Sequence, residues 1–183
     1  MTWQVLLISG SLRAVSTNTA ALRTAEQLAS RDVVVSLYDG LARLPHFNPD
    51  DDTDPLPPEV ADLRAAIHGA SALMFSTPEY AGALPGSFKN LLDWTIGDDQ
   101  PGSIYDKPVA WVNTSPRGAR GAYDELRTVL EYAHAFIVEE ACIQIPISTA
   151  VVGADGLVLD RTVRDRLAQA VRALVRPAGG PVA

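Results

Sequence analysis

The sequence has a single cysteine, Cys142, among its 183 residues. No intramolecular disulfide can form, so the sequence predicts a cytoplasmic protein in a reducing compartment. The three histidines, His46, His68 and His134, are scattered, and neither they nor the cysteine show metal-ligand spacing. We therefore expect no bound metal ion, and we expect Cys142 to be a buried strand residue within the apolar run ACIQIPI.

The sequence also lacks a basic run. Its formal net charge is −7, with 15 lysines and arginines against 22 aspartates and glutamates. Because binding along a nucleic acid requires a basic face, nucleic acid is excluded as a main partner. The N-terminal stretch MTWQVLLISGSLR is too short to span a bilayer and has no basic region before its apolar part, so we expect neither membrane insertion nor a signal peptide.

Four common site motifs are missing. There is no Gly-Lys-Ser/Thr, which excludes a triphosphate P-loop, and no G-x-G-x-x-G, the glycine pattern of a dinucleotide site. There is no G-x-S-x-G elbow and no evident Ser–His–Asp arrangement either. Nothing in the sequence therefore indicates a protein nucleophile.

What the sequence does contain is an alternation of apolar runs and amphipathic segments. The runs predict strands over residues 3–9, 33–37, 70–76, 108–113 and 136–147, and the segments predict helices over residues 17–30, 59–68, 85–95, 122–135 and 163–175. This pattern predicts an α/β fold in which a five-stranded parallel sheet has helices on both faces. We expect residues 1–176 to form one domain and residues 177–183 to be a frayed tail. The proline-rich and aspartate-rich connection 41–58 is unusually long, which suggests a role in binding or assembly.

The connection after the first predicted strand is rich in hydroxyl groups. Residues 9–18, here called the anion loop, read SGSLRAVSTN and lead into a helix. Backbone N–H groups and the helix dipole favour an anion at such a position, and Arg13 adds a fixed positive charge suited to phosphate. The loop suits a single terminal phosphate. The alternative is an ordinary turn in which one serine or threonine caps the helix.

The segment after the third predicted strand, residues 77–94, reads TPEYAGALPGSFKNLLDW. Glu79 and Tyr80 are either an acid/base pair or the rim of a surface that holds a flat ring through backbone groups. No histidine lies near Glu79 in the sequence, and a parallel sheet places this loop beside the anion loop, so the rim is favoured. Lys89 and Asp93, four residues apart, predict a surface ion pair.

The segment after the fourth predicted strand, residues 114–121, reads TSPRGARG. Its two arginines and two glycines could line the other side of the same crevice, where Arg117 and Arg120 would favour the extra phosphate of NADPH. The alternative is a flexible surface loop.

These segments together resemble the NAD(P)H-dependent FMN reductase family, which has a flavodoxin-like fold and includes quinone, chromate and azo-dye reductases. The matching pieces are GSLRAVSTN, LPHFNPDDD at residues 44–52, and the whole of residues 77–94. The resemblance implies a three-layer sandwich with the strand order 2-1-3-4-5. It also implies a homodimer or homotetramer with the flavin near the subunit interface.

The resemblance implies FMN as the cofactor and no catalytic side chain, because the flavin carries the chemistry. NADPH or NADH would pass a hydride to flavin N5, and two electrons would then reduce a quinone-like small acceptor or free flavin. The residues implied to bind the flavin are Ser11, Arg13, Ser16, Thr17 and Asn18 for the phosphate, and Pro78, Glu79, Tyr80, Ala81, Gly82, Ser115, Pro116, Arg117 and Gly118 around the ring.

Two positions depart from the family pattern. The family commonly has asparagine where this chain has Ala81, and serine or threonine where it has Ala83. A sensor that binds flavin without turnover is therefore one alternative to an enzyme. A flavodoxin-type electron carrier is another, although the anion loop lacks the T-x-T-G pattern of true flavodoxins.

Overall fold

A computed structural model describes residues 2–176, so the expected tail 177–183 lies outside the described residues. The assignment of residues 1–176 to one domain stays a prediction. The strands are β1 Trp3–Ser9, β2 Val33–Tyr38, β3 Ala72–Ser76, β4 Pro108–Asn113, β5 Phe136–Ile137 and β6 Ile143–Gln144. The helices are α1 Thr17–Gln27, α2 Pro58–His68, α3 Gly86–Ile96, α4 Arg120–Tyr132 and α5 Arg161–Val175.

All strands pair in parallel in the order β2-β1-β3-β4-β5, and β6 also pairs with β4. The central strands read as continuous apolar runs because helices cover both of their faces. All five residues of β3 are buried, as are the last five of β1. The predicted α/β architecture and strand order are confirmed.

Two apolar cores lie on opposite faces of the sheet. One is formed by side chains of α2, α3 and α4, including the fully buried Phe88 and Trp94. The other is formed by α1 and α5, including Leu22 and Leu167. Each helix turns one apolar stripe toward the sheet and a polar face toward solvent. Among residues 2–176, each helix is too short or too polar to cross a lipid bilayer.

The edge of the sheet beside β4 differs from the prediction, which placed one continuous strand region over residues 136–147. β5 and β6 occupy it in succession, separated by a 3₁₀ turn at Glu139–Ala141. The ladder continues past both strands, because Val138 donates to the Val109 carbonyl at 2.9 Å and Ile145 to the Asn113 carbonyl at 2.8 Å. Cys142 lies just before β6 and is half-buried, so the prediction of a buried strand residue was wrong.

The long connection 41–58 is held against α3. The side chain of Asn90 accepts from the Phe47 N–H at 2.7 Å and donates to the Pro45 carbonyl at 2.8 Å. The indole of Trp94 donates to the same carbonyl at 2.9 Å, which satisfies its only polar atom in the core. The loop is therefore ordered by side chains of the next helix but one. Its role in binding or assembly stays a prediction.

Candidate functional site

Three loops meet at the carboxyl edge of the sheet. β1, β3 and β4 are neighbours, so the segments that follow them lie side by side at that edge. The Gly10 N–H donates to the Ser76 carbonyl at 2.8 Å, which joins the first loop to the second. A Cβ at position 10 would lie 2.4 Å from Thr77 Oγ1 and 2.8 Å from the Phe88 ring, so only glycine allows this approach.

The anion loop ends in a capped helix with free donors. Ser16 is the N-cap of α1, and its hydroxyl accepts from the Thr19 N–H at 3.3 Å. The N–H groups of Ser16, Thr17 and Asn18 have no acceptor among residues 2–176. Arg13 is exposed beside them and forms no ion pair within the same residues. The capping alternative thus accounts for one hydroxyl, whereas these three N–H groups and the Arg13 charge are available to an anion.

Two predicted phosphate ligands also tie the loops together. Asn18 is buried, and its side-chain oxygen accepts from Ser76 at 2.9 Å and from Thr114 at 3.1 Å. The hydroxyl of Thr17 lies 3.0 Å from that of Thr114. Ser11 is half-buried, and its hydroxyl accepts from the Arg13 N–H at 3.3 Å. The side-chain oxygen of Asn18 is therefore committed to the ends of β3 and β4.

Residues 80–83, here called the 80–83 turn, form a tight hairpin turn. Tyr80 and Ala83 exchange backbone hydrogen bonds of 3.0 and 3.1 Å, with Ala81 at φ 51° and Gly82 at φ 77° between them. Two successive positive φ values are those of a type I′ turn, which favours Asn-Gly. This geometry gives a backbone reason for asparagine where this chain has Ala81. The N–H groups of Ala81 and Gly82 have no acceptor in residues 2–176, and the Tyr80 side chain is 49% exposed beside them.

The Glu79 carboxylate has a defined partner. It accepts a hydrogen bond from the Ala122 N–H in the first turn of α4 at 3.1 Å. The N-cap of α4 is Ala119, at φ 46°, which has no side-chain oxygen to accept from that turn. Glu79 supplies the missing acceptor and a negative charge at the positive end of the helix. Pro78, which precedes it, is half-buried.

Helix α4 returns two further contacts to the segment after β3. The Glu125 carboxylate accepts from the Leu84 N–H at 2.7 Å. The phenol of Tyr123 lies 3.2 Å from both the N and O of Thr77 and 2.8 Å from the Val112 carbonyl. Burial raises the pKa of Tyr123 well above its ordinary value, so the phenol keeps its proton as a donor between β3 and β4.

The third loop, after β4, folds on itself. The Asn113 side chain accepts from the Ser115 N–H at 3.0 Å and donates to the Gly118 carbonyl at 2.5 Å. The Ser115 hydroxyl accepts from the Arg117 N–H at 3.2 Å. Pro116 and Arg117 are exposed, and Gly118 adopts φ 90°. These bonds argue for a defined loop.

A cleft of about 530 Å³ lies between the third loop, α4 and β6. Its lining includes Arg117 and Arg120 as well as Arg127, whose guanidinium binds both oxygens of Glu139 at 2.6 and 2.9 Å and covers the Trp111 ring at 5.0 Å. Cys142 also lines it, and burial raises the pKa of its thiol to about 12. A thiol at that pKa is protonated at neutral pH and is not a nucleophile.

The structure thus brings the three predicted groups of residues to one edge of the sheet. Sequence reasoning did not predict the contacts that connect them, which are made by Gly10, Ser76, Thr77, Thr114, Gly121, Tyr123 and Glu125. No local pattern marks them, because each partner is far away in the chain. Lys89 and Asp93 pair at 2.6 Å, as predicted. No group of histidine, cysteine, aspartate or glutamate side chains in residues 2–176 is placed to hold a metal ion.

Comparison with known proteins agrees with this architecture. The family model described as NADPH-dependent FMN reductase matches residues 3–150. An NAD(P)H-dependent FMN reductase of Pseudomonas aeruginosa is 34% identical over 174 residues, which is 93% of this chain and 92% of that protein. A quinone reductase of Escherichia coli is 32% identical over 143 residues, 75% of this chain and 74% of that protein.

Among solved structures, the flavoenzyme NAD(P)H:acceptor oxidoreductase FerB of Paracoccus denitrificans superposes with a TM-score of 0.76 at 29% identity, covering 95% of this chain and 96% of that one. The flavodoxin-like fold and the activity class expected from the sequence are confirmed. The matched region contains all three loops at the carboxyl edge. The chain therefore belongs to the NADPH-dependent FMN reductase family and is an oxidoreductase that uses FMN and a reduced nicotinamide nucleotide.

Proposed function

We propose that the carboxyl edge binds FMN between the anion loop, the 80–83 turn and the third loop, and that the enzyme passes electrons from NAD(P)H to a quinone-like small acceptor. The observation that carries the proposal is that two sets of backbone N–H donors without acceptors lie at the same edge of the sheet. Ser16, Thr17 and Asn18 supply one set, and Ala81 and Gly82 supply the other.

The first set suits a phosphate. Three backbone donors at the start of α1, the hydroxyls of Ser11 and Thr17, and the charge of Arg13 would bind a doubly negative group. Charge-assisted hydrogen bonds of this kind are roughly twice as strong as neutral ones. The phosphate would therefore anchor the cofactor, and the ring would extend toward the 80–83 turn.

The second set suits the polar edge of a flat ring. The N–H groups of Ala81 and Gly82 would donate to the ring, while Tyr80 and Pro116 would form walls. When bound, FMN supplies the redox chemistry by accepting two electrons from the nicotinamide and releasing them to the acceptor. The chain's own residues orient the ring and leave one face open for donor and acceptor in turn.

The proposal includes a homodimer or homotetramer in the cytoplasm. Leu12 and Val15 are 56% and 63% exposed on the anion loop, where a second subunit would cover them. Analytical ultracentrifugation tests the assembly, and a monomer at micromolar concentration contradicts it.

An anaerobic stopped-flow titration with NADH and NADPH, followed by a panel of quinones, tests the activity. We expect FMN binding, seen as quenched flavin fluorescence, then bleaching by a nucleotide and steady turnover with a quinone. Absence of FMN binding overturns the proposal. Bound FMN that neither nucleotide bleaches indicates a sensor, and bleaching without quinone turnover indicates an electron carrier.

A further inference from the structure

The 80–83 turn is held in place from outside by α4. The turn contributes only two backbone hydrogen bonds of its own, between Tyr80 and Ala83. Ala81 at φ 51° opposes that conformation, because a left-handed backbone is unfavourable for a residue with a Cβ. A strained turn persists only where its surroundings favour it.

Gly121, in the first turn of α4, lies directly against the 80–83 turn. A Cβ at this position would lie 2.0 Å from the Gly82 carbonyl oxygen and 2.8 Å from its carbonyl carbon. Both atoms are backbone, so the turn or the helix would have to move to admit a side chain. The absence of a side chain at Gly121 thus lets the Gly82 carbonyl rest against α4, while the N–H groups of Ala81 and Gly82 have no acceptor in the described part of the chain.

Two carboxylates hold the turn against α4, one from the turn side and one from the helix. Glu79, just before the turn, accepts from the Ala122 N–H on α4, and Glu125 on α4 accepts from the Leu84 N–H just after the turn. The turn is therefore bound to α4 on both of its flanks. Such bonds hold both position and angle, because each carboxylate meets a directional N–H donor.

We propose that Gly121 and Glu125 are positioning residues for the flavin ring, acting through the 80–83 turn. They hold the turn where the Ala81 and Gly82 N–H groups meet the ring, so they set the affinity for the ring and the reduction potential of the bound flavin. This inference rests on the proposed function and adds to it residues that touch neither the ring nor the phosphate.

The test compares FMN with riboflavin, which has the same ring without the phosphate. The variants are Gly121→Ala, Glu125→Ala and Glu125→Gln, with Asp124→Ala as the matched control. Asp124 is the residue before Glu125, but its side chain is 70% exposed and, within residues 2–176, forms its one ion pair with Arg120. Each variant is assayed for the Kd of both ligands, and for the midpoint potential and visible circular dichroism of bound FMN.

We expect Gly121→Ala to weaken the binding of FMN and of riboflavin by the same factor, about tenfold or more. It should also change the midpoint potential and the visible circular dichroism of bound FMN. Glu125→Ala should do the same to a smaller extent, and Glu125→Gln should restore the wild-type values, because an amide oxygen still accepts from the Leu84 N–H. Arg13→Ala, in contrast, should weaken the binding of FMN and leave that of riboflavin unchanged.

The proposal is overturned if Glu125→Ala matches Asp124→Ala in both affinities and in the potential. If Gly121→Ala does not fold, the Glu125 pair decides. If the wild-type protein does not bind FMN, the proposed function itself is refuted. If the wild-type protein binds FMN and the variants have the same Kd values and midpoint potential, only the positioning role is refuted.

Discussion

The hydroxyl oxygens of Thr17 and Thr114 lie 3.0 Å apart, although 97 positions separate the two residues in the chain. Thr114 Oγ1 also lies 3.1 Å from Asn18 Oδ1, an atom that can only accept. The Thr114 hydroxyl has one proton and can donate it to only one acceptor. When that acceptor is Asn18, the hydroxyl of Thr17 donates to Thr114. If an anion accepts from Thr17, Thr114 can donate to Thr17 instead. An anion bound at the start of α1, as proposed, would therefore change the hydrogen bonding at the end of β4.

Replacing Thr17 by valine should therefore weaken FMN binding about tenfold and leave riboflavin binding unchanged. A hydrogen bond to a charged group contributes about 1.5–3 kcal/mol, and 1.4 kcal/mol corresponds to tenfold in affinity. Thr17→Ser keeps the hydroxyl and serves as the control. Fluorescence titration with both ligands measures the effect, and an equal loss for FMN and riboflavin would show that the hydroxyl serves the ring or the fold.

Replacing Ala81 by asparagine or glycine should stabilise the protein by about 1 kcal/mol, because both residues tolerate the positive φ of this position better than alanine does. Urea denaturation measures the free energy of unfolding. Ala83→Asn is the control, since Ala83 lies in the same turn outside the positive-φ positions. Equal effects at positions 81 and 83 would contradict the backbone explanation.

Glu79→Gln should leave the rate of flavin reduction within a few-fold of wild type, because the amide oxygen still accepts from the Ala122 N–H. Glu79→Ala should lower the free energy of unfolding by about 1 kcal/mol, as for a lost helix cap. Stopped-flow absorbance gives the rate. A loss of about 100-fold, or about 2.7 kcal/mol in the barrier, with FMN still bound would instead make Glu79 an acid or base in the reaction.

Arg117→Ala should lower kcat/KM for NADPH about tenfold and leave the value for NADH nearly unchanged. Arg117 is exposed on the third loop and forms no ion pair within residues 2–176, so its charge is available to the extra phosphate of NADPH. Arg120, which pairs with Asp124 at 3.3 Å, should show a smaller effect when replaced. The assay is run at saturating FMN. An equal loss with both nucleotides would rule out this preference.

Cys142 should contribute to a loss of stability at alkaline pH. Burial raises the pKa of its thiol from 9.0 to about 12, so the folded state holds the proton more tightly than the unfolded state. The contribution is complete below pH 9 and is lost as the pH rises toward 12. The difference in free energy of unfolding between wild type and Cys142→Ala should therefore shrink above pH 9. Denaturant titrations from pH 7 to 11 measure it, and a constant difference would contradict the burial argument.

The sequence by itself determined the fold class and which loops meet at the carboxyl edge of the sheet. Apolar runs of strand length alternating with amphipathic segments lead to a parallel sheet covered on both faces, because each element has to bury its apolar side. The anion loop and the 77–94 segment each follow a central strand, and parallel strands end at the same edge. Spacing and residue type were therefore enough to predict that these two segments lie side by side.

Only the tertiary structure decided how that site is held. Local patterns reach three or four residues along a helix and two along a strand, whereas Glu79 meets Ala122, Glu125 meets Leu84 and Thr17 meets Thr114 across 41 to 97 positions. The division of the fifth strand and the half-burial of Cys142 likewise depend on packing against β4. Directional hydrogen bonds and close backbone approach arise between elements only after the sheet has formed, so no single segment encodes them.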